Sequence, residues 1–539
     1  MNLFASLDRP VSLAKAALLS CVTLTLGLIP TLAFAQTSQS DLEYTDVGWE
    51  SQQITDQFFA EGSAVGDLNG DGVNDLVYGP VWYEGPDYQT RHELAEANVV
   101  SVMAYSQHFF SHVCDVNADE NPDVISVGFP GRQATLYINP GEKTASQSDQ
   151  LWPAHTIASR VSNESPAWVD LIPGGLPELV CARDRAYGYY TADSMDDPTQ
   201  PWQWVAISEP GTAFEPFGHG LGVGDIDGDG KQDIINRQYW WRQPESALTH
   251  STDTADSTDA ADSKPLWQRQ AWIAQPFGGG GAQMHVHDFD GDGDSDLITS
   301  ENAHGYGLAW FEQTRPGQFA QHQISGESSM QNPHGYATSQ MHAVETIDVD
   351  GDGRRDIVTG KRYYAHGGKD VGGLQAPLVV WFRNVKSDQP GGLEFVPHVI
   401  HETSGVGVEV VTTDINGDGL VDVLTGNKRG LTVHIQTDLS DVPLAKRRHV
   451  AERWRTSKRP QDEYAIGLSP SESAKNMDLP NGFEVDVVAS EPDLVQPIAM
   501  CFDDRGRIWM IEGNTYPTKA PDGEGKDRIL ILEDSDGDG

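Results

Sequence analysis

Short apolar runs opened by aspartate and closed by glycine recur along the chain, among them Asp75-Leu-Val-Tyr-Gly79, Asp356-Ile-Val-Thr-Gly360 and Asp422-Val-Leu-Thr-Gly426. Runs of this length between turn residues predict buried strands. A Gly- and Val-rich strand precedes each, as in Gly220-Leu-Gly-Val-Gly224 and Gly407-Val-Glu-Val-Val411. An aromatic strand follows, including Trp82-Tyr83, Trp240-Trp241, Trp310-Phe311 and Trp381-Phe382. The last strand is of the type His155-Thr-Ile157, His322-Gln-Ile324 or His398-Val-Ile400. No sustained helical period interrupts this order between residues 45 and 455. The pattern predicts an all-β chain built from four-strand units.

Between the first and second strand of each unit lies the loop D-x-[DN]-x-D-x-x-x-D, present six times. Its polar positions are Asp67, Asn69, Asp71 and Asp75; Asp115, Asn117, Asp119 and Asp123; Asp225, Asp227, Asp229 and Asp233. The later copies are Asp288, Asp290, Asp292 and Asp296; Asp348, Asp350, Asp352 and Asp356; and Asp414, Asn416, Asp418 and Asp422. A decayed seventh copy fits at Trp168-Val-Asp170 through Val180, giving starts 48, 55, 55, 63, 60 and 66 residues apart. Regular spacing marks a repeat architecture, and four strands in each of seven units predict a seven-bladed β-propeller. The last strand type occurs at both Gln53-Ile54 and His449-Val450. One terminus therefore completes a blade begun by the other, and the sequence leaves open which.

Loop positions one, three and five aim carboxylate or amide oxygens at one point, and position seven, occupied by residues as different as Val73, Lys231, Arg354 and Leu420, can add a backbone carbonyl. Asp at position nine completes a cage of the kind Ca²⁺ takes, and Gly at position six, present in five of the six loops, permits the turn. An EF-hand needs Glu at position twelve. Here Tyr78, Ser126, Asn236, Thr299, Thr359 and Thr425 stand there, which excludes it. A lone Asp/Gly run is usually just a turn, but six in register are expected to bind about five or six structural Ca²⁺ per chain. The loop at Asp115, with Glu120 at position six, is the weakest, and the Asp170 unit has lost its ligands. Residues 45–455 resemble the FG-GAP/VCBS repeats of integrin α-chains and bacterial surface proteins. That resemblance implies a binding or scaffolding module whose partner is a carbohydrate or an extracellular protein.

Opposite the loops, where first strands start and second strands end, titratable residues gather. His219, His285, His287, Glu301, His304, His342, Lys361 and His366 are the candidate catalytic residues. His285 and His287 point to one side of their strand and, with Glu301 or His304, can hold a transition metal; Lys361 and His342 can act as acid and base. This supports an alternative, a carbohydrate-active lyase or hydrolase. The competing reading is a solvated polar rim. Ala303-His-Gly-Tyr-Gly-Leu-Ala-Trp310 and Ser339-Gln-Met-His342 resemble segments of the propeller of fungal aldos-2-ulose dehydratase, a sugar lyase, too thinly to carry roles across.

The ends differ from the repeats. Residues 1–35 read as a secretory signal, with an apolar run Ala16–Phe34 and small residues at Ala33 and Ala35. An exported protein without a later membrane span is expected, with a membrane anchor or a lipid-modified Cys21 as the less favoured alternatives. Net charge is −44, from 80 acidic against 36 basic residues, which excludes nucleic acid as a partner. The few cysteines, Cys114, Cys181 and Cys501 beyond Cys21, make no disulfide framework. The repeats take up 36–455, a polar linker 456–478, and 479–539 opens a second domain. There Leu479-Pro-Asn-Gly-Phe483, Phe502-Asp-Asp-Arg-Gly-Arg-Ile-Trp509 and Arg528-Ile-Leu-Ile-Leu-Glu-Asp534 are similar to the start of the planctomycete membrane-bound dehydrogenase domain, itself similar to quinoprotein glucose and sorbosone dehydrogenases. The match implies a second propeller, cut off inside a Ca²⁺-loop-like Ser535–Gly539, with any quinone cofactor in the part beyond. Dehydrogenase activity would then belong to the parent protein, and no catalytic residue can be assigned in 479–539.

Overall fold

A computed structural model describes residues 45–141, 151–192, 197–248, 266–273, 279–327, 334, 337–373, 375–441, 470, 474, 485–490, 494–514 and 525–533. The expected leader 1–35, residues 249–264, His449-Val450 and the last residues, 534–539, lie outside the described residues, as does nearly all of the linker 456–478. The chain divides into two compact units, 1–43 and 44–539, and the described residues belong to the second.

The fold is all-β. The described elements are strands, apart from two short 3₁₀ turns at Glu245–Leu248 and Ala365–Gly368. Unit I is the antiparallel meander β2 (Ala64–Gly66), β3 (Asp75–Tyr78), β4 (Val81–Tyr83), β5 (Arg91–Glu93). Unit II is β6 (Phe110–Cys114), β7 (Asp123–Val127), β8 (Arg132–Tyr137), β9 (Ala154–Val161), and unit III is β10 (Ala167–Val169), β11 (Glu178–Arg183), β12 (Ala186–Thr191), β13 (Gln203–Ala206). Unit IV comprises β14 (Leu221–Gly224), β15 (Asp233–Asn236), β16 (Tyr239–Arg242) and β17 (Gln268–Ala271), and unit V β18 (Gln283–His287), β19 (Asp296–Ser300), β20 (Leu308–Arg315) and β21 (Gln318–Ser325). Unit VI is β22 (Val344–Ile347), β23 (Asp356–Gly360), β24 (Val379–Lys386), β25 (Leu393–His401). Unit VII takes β26 (Val411–Thr413), β27 (Asp422–Asn427), β28 (Gly430–Asp438) and, as its outer strand, the N-terminal β1 (Val47–Thr55). The terminus that completes a unit is therefore the N-terminal one. Residues of the tail form a separate three-stranded sheet, β29 (Pro497–Phe502), β30 (Ile508–Glu512), β31 (Arg528–Leu532).

The second strand of each unit is buried on both faces, which is why its sequence is a continuous apolar run rather than an alternating one. One face packs on the preceding unit and the other on the next. Ile298 and Trp310 of unit V share a core with Ile357 and Phe382 of unit VI, and Leu76 and Tyr83 of unit I share one with Leu424 and Val433 of unit VII. Units IV and V are joined more closely, by parallel pairing of β14 with β18. Gly222 and Gly224 allow it, because a Cβ would lie 2.1 Å from the Met284 carbonyl and 2.3 Å from Val286 respectively.

A repeated polar clamp fixes the loop end of each unit. The position-nine carboxylate accepts the N–H of the second loop residue (Leu68 to Asp75, Phe289 to Asp296, Val349 to Asp356). Its other oxygen accepts a third-strand N–H, from Gln313 to Asp296 and from Asn384 to Asp356. The same amide residues then reach back to the preceding unit: Gln313 donates to the Ile226 carbonyl, Asn384 to Phe289 and Gln436 to Val349. Asn74 donates to the Asp414 and Ile415 carbonyls and so ties unit I to unit VII. In unit III, Glu178 stands at position nine and accepts from Leu171 and Ile172.

Candidate functional site

The six Asp loops share one backbone. Position-one Asp accepts from its own loop: Gly70, Asp71 and Gly72 donate to Asp67, and Gly417, Asp418 and Gly419 donate to Asp414. Positions four and six are both left-handed, as at Gly291 (φ 83°) and Gly293 (φ 101°). The sequence pattern pointed only to position six. Loop II meets the same requirement with Ala118 (φ 56°) and Glu120 (φ 70°).

Carboxylate oxygens of Asp225, Asp227 and Asp229, of Asp288, Asp290 and Asp296, and of Asp348, Asp350 and Asp356 each lie within 4.8 Å of one another. What leans over them differs by unit. Two residues past the third-strand tryptophan, unit I carries Glu84, 3.4 Å from Asn69, and unit V carries Glu312. Units IV and VI carry arginine there: Arg242 lies 2.6 Å from Asp227 and 2.9 Å from Asp229, and Arg383 2.6 Å from Asp350. A guanidinium thus crosses the carboxylates of two loops.

At the opposite end, loops from many units converge on a buried polar cluster. Glu164 enters from the connection into β10, His219 from that into β14, and His342 from that into β22; His304 follows β19, and Lys361 and Arg362 follow β23. His342 Nε2 lies 3.0 Å from Glu164 Oε2 and 3.2 Å from His219 Nε2; His219 Nε2 is 3.7 Å from the same oxygen. Arg362, 1 % exposed, bridges Glu164 at 3.3 Å and Glu61 at 3.4 Å. Asp370 accepts from His304 Nδ1 at 3.1 Å and His366 Nδ1 at 2.9 Å, and Gln340 links Asp370 to Lys361. The loop bearing His366 holds Tyr364 (φ 54°) and His366 (φ 48°) left-handed, which costs roughly 1 kcal/mol each. A 3.0 Å bond from the His366 N–H to the Tyr105 hydroxyl helps hold it.

Burial drives His342 well below its ordinary range, aided by the Arg362 charge, so the ring is neutral. Burial likewise lowers His304 to about 4 and Lys361 to about 8. For Glu164 burial acts upward, but hydrogen bonds from His219 and His342 and the Arg362 charge hold the carboxyl well below its usual range. The result is an ionised carboxylate beside the neutral rings of His342 and His304, with half-exposed His366 at the outer edge.

Of the sequence candidates, His219, His304, His342, Lys361 and His366 are brought together. His285, His287 and Glu301 are not. His285 Nε2 bonds the Val344 carbonyl at 2.8 Å with Glu345 beside Nδ1, His287 packs on Phe289, and Glu301 holds Gln321 and Gln323. Sharing one side of β18 turns His285 toward its neighbouring strand, not toward the cluster, so the expected pairing of His285 and His287 with Glu301 or His304 does not form. Glu61, Glu164 and Asp370 were not singled out; their only signal is their place beside strand starts and ends. A cavity of ≈ 440 Å³ lined by first-strand residues holds His112, Glu345 and Glu409. No helix of the described residues is long and apolar enough to cross a membrane.

Residues 288–359 and 348–425 match the family model described as FG-GAP-like repeat, and 469–539 match a domain of unknown function, DUF7133. No curated protein matches. Among solved structures, a lectin from Agrocybe aegerita, described as recognising non-reducing terminal N-acetylglucosamine, is 15 % identical, with 70 % of this chain and 86 % of that one covered and a TM-score of 0.38. The rhamnogalacturonan lyase YesW is 15 % identical over 72 % of each chain, TM-score 0.33. A rhamnogalacturonan lyase from Bacillus licheniformis is 15 % identical over 72 % of this chain and 73 % of its own, TM-score 0.33. None of these scores reaches 0.5. Residues 288–425 thus carry FG-GAP-like repeats, and the four-strand meanders of 45–441 are consistent with a β-propeller.

Proposed function

We propose that the chain is an exported, Ca²⁺-stabilised propeller of seven blades that serves as the binding or scaffolding module of a larger protein. The observation that carries this reading is the loop set: six copies of one carboxylate-lined loop, each clamped to its own blade and most to the next. Closure of the ring is supported by β1 in the last sheet and by the Asn74 bonds across units I and VII. Carboxylate oxygens converge in the loops at Asp225, Asp288 and Asp348, and the loops at Asp67, Asp115 and Asp414 repeat the same pattern of donors, as Ca²⁺ requires. At Asp225 and Asp348 an arginine already neutralises the carboxylates. These two are the weaker sites, which moves the proposed content from about five or six Ca²⁺ per chain toward four. The ions offset carboxylates that otherwise repel.

The tail, 479–539, is oxidoreductase-like in this reading on its sequence resemblance alone. A partner of carbohydrate or extracellular-protein class suits a face made of loops on a rigid scaffold. Lys361, with its ammonium pushed down to about 8 near neutral imidazoles, favours a second reading, acid–base chemistry on a carbohydrate at the same face. Elemental mass spectrometry of the full chain after dialysis against metal-free buffer tests the module. About four Ca²⁺ per chain, together with oligosaccharide binding without turnover, is the expected outcome. Absence of Ca²⁺ even after add-back would sink the calcium reading, and turnover of a bound oligosaccharide would establish the second.

A further inference from the structure

Three donor atoms of the buried cluster sit in an arrangement that hydrogen bonding does not satisfy. A neutral imidazole nitrogen carries either a proton or a lone pair, never both. If His342 Nε2 donates to Glu164 at 3.0 Å, the His219 nitrogen 3.2 Å away reaches the same oxygen only at 3.7 Å, beyond a normal hydrogen bond. If His219 donates instead, the His342 lone pair faces a Glu164 oxygen at 3.0 Å. Either assignment leaves a repulsive or unmade contact in a place where His342 is fully buried and Glu164 and His219 side chains are 8 % and 7 % exposed.

A cation between the three atoms removes the conflict. An ion with ligand bonds of about 2.0–2.1 Å in tetrahedral geometry sets neighbouring donors roughly 3.3–3.4 Å apart. The three edges here are 3.0, 3.2 and 3.7 Å, which bracket that value. A ligand atom of His304 lies within 4.8 Å of all three, on the more exposed side. Asp370 takes the Nδ1 side of His304 at 3.1 Å, which leaves Nε2 for a ligand, and a carboxylate behind a histidine is the usual way such a ring is oriented. Arg362 bonds the Glu164 carboxylate and is itself offset by Glu61, so the fixed charges nearest the centre are largely balanced.

We propose that Glu164, His219, His304 and His342 bind one divalent transition-metal ion of the zinc type. The three-nitrogen, one-oxygen donor set suits zinc or a neighbouring first-row ion and not calcium, which takes six to eight oxygens. Three ligands are deeply buried and the fourth, His304, lies at the edge nearest His366. The open direction, where an exogenous oxygen ligand can enter, is therefore the His304–His366 side.

The probe is Co²⁺ added to the full chain after dialysis against metal-free buffer, read by visible absorption and by elemental analysis. One equivalent per chain with the strong bands of four-coordinate Co²⁺ is expected. His219→Gln and His342→Gln should each abolish the bands with circular dichroism unchanged. Asp370→Asn should keep the bands and weaken binding roughly 10–100-fold. Asp67→Ala, which touches only a calcium loop, should leave them intact, so loss of calcium and loss of this ion are separately visible. His304→Gln, in the more exposed position, serves if the buried His342 variant does not fold. No bands on addition of Co²⁺, or a full equivalent retained in both the His219 and His304 variants, overturns the assignment.

Discussion

The Arg242 guanidinium lies 2.6 Å from the Asp227 carboxylate, in the place that unit I gives to Glu84. One position on the third strand therefore decides whether the loop below it carries more negative charge or a cation of its own. Replacing Arg242 by Glu should raise the Ca²⁺ content by about one ion per chain. Isothermal titration of the wild type and the variant reads this directly. An unchanged stoichiometry would show that Arg242 swings aside and the loop fills anyway.

Asn384 is both clamp and bridge, accepted by Asp356 through its N–H at 2.7 Å and donating from its amide to the Phe289 carbonyl of the preceding unit at 3.1 Å. Asn384→Ala keeps the first bond and loses the second, leaving a buried carbonyl short of a donor. A loss of about 1–3 kcal/mol is expected by denaturant unfolding. Asn139→Ala in unit II, which loses the matching bond to the Leu68 carbonyl, should cost a similar amount.

The strand pattern was readable because burial on both faces of each second strand writes itself as an unbroken apolar run. Ring closure was not, since Gln53-Ile54 and His449-Val450 carry the same signal and only pairing with β28 separates them. Position in the repeat found His219, His304, His342, Lys361 and His366, because strand starts and ends share one end of every unit. It could not find Glu164 or Glu61, whose partner Arg362 comes from loops far away in sequence. Nor could it reject His285: alternation along a strand gives the side, but the Val344 carbonyl that fills that side belongs to another unit.

Arg362 joins two glutamates in a site almost without solvent. Arg362→Met removes the guanidinium that offsets both and leaves the side chains of Glu61 and Glu164 facing each other. Breaking a buried pair from one side costs about 3–5 kcal/mol. Adding Glu61→Gln to Arg362→Met should recover part of that loss, measured as recovery of the unfolding midpoint.

Glu120 is held at φ 70° where the other five loops have glycine. A left-handed non-glycine residue is strained, so Glu120→Gly should stabilise the protein by roughly 1 kcal/mol. The gain should persist in the presence of a chelator, because it comes from the backbone and not from a bound ion. A shift in Tm that disappears with chelator would instead assign Glu120 a role in the metal site.

Glu409 lies in the first-strand cavity, partly buried, with Glu345 nearby and the Ser111 N–H as donor at 3.3 Å. Burial is the main cause that lifts its carboxyl to about 8, with the Glu345 charge acting the same way. In the unfolded chain the same group titrates near 4.5. Between those two values the folded protein keeps a proton that the unfolded chain has released. Stability is therefore fully present below the lower value and falls as pH rises through the window to about 8, by up to about 1.4 kcal/mol per pH unit. Glu409→Gln cannot ionise, so its stability should lose this slope and exceed the wild type increasingly from pH 5 toward pH 8, about the folded-state value. Parallel Tm–pH curves for the two proteins would show that Glu409 is hydrated and ionised in the cavity at neutral pH.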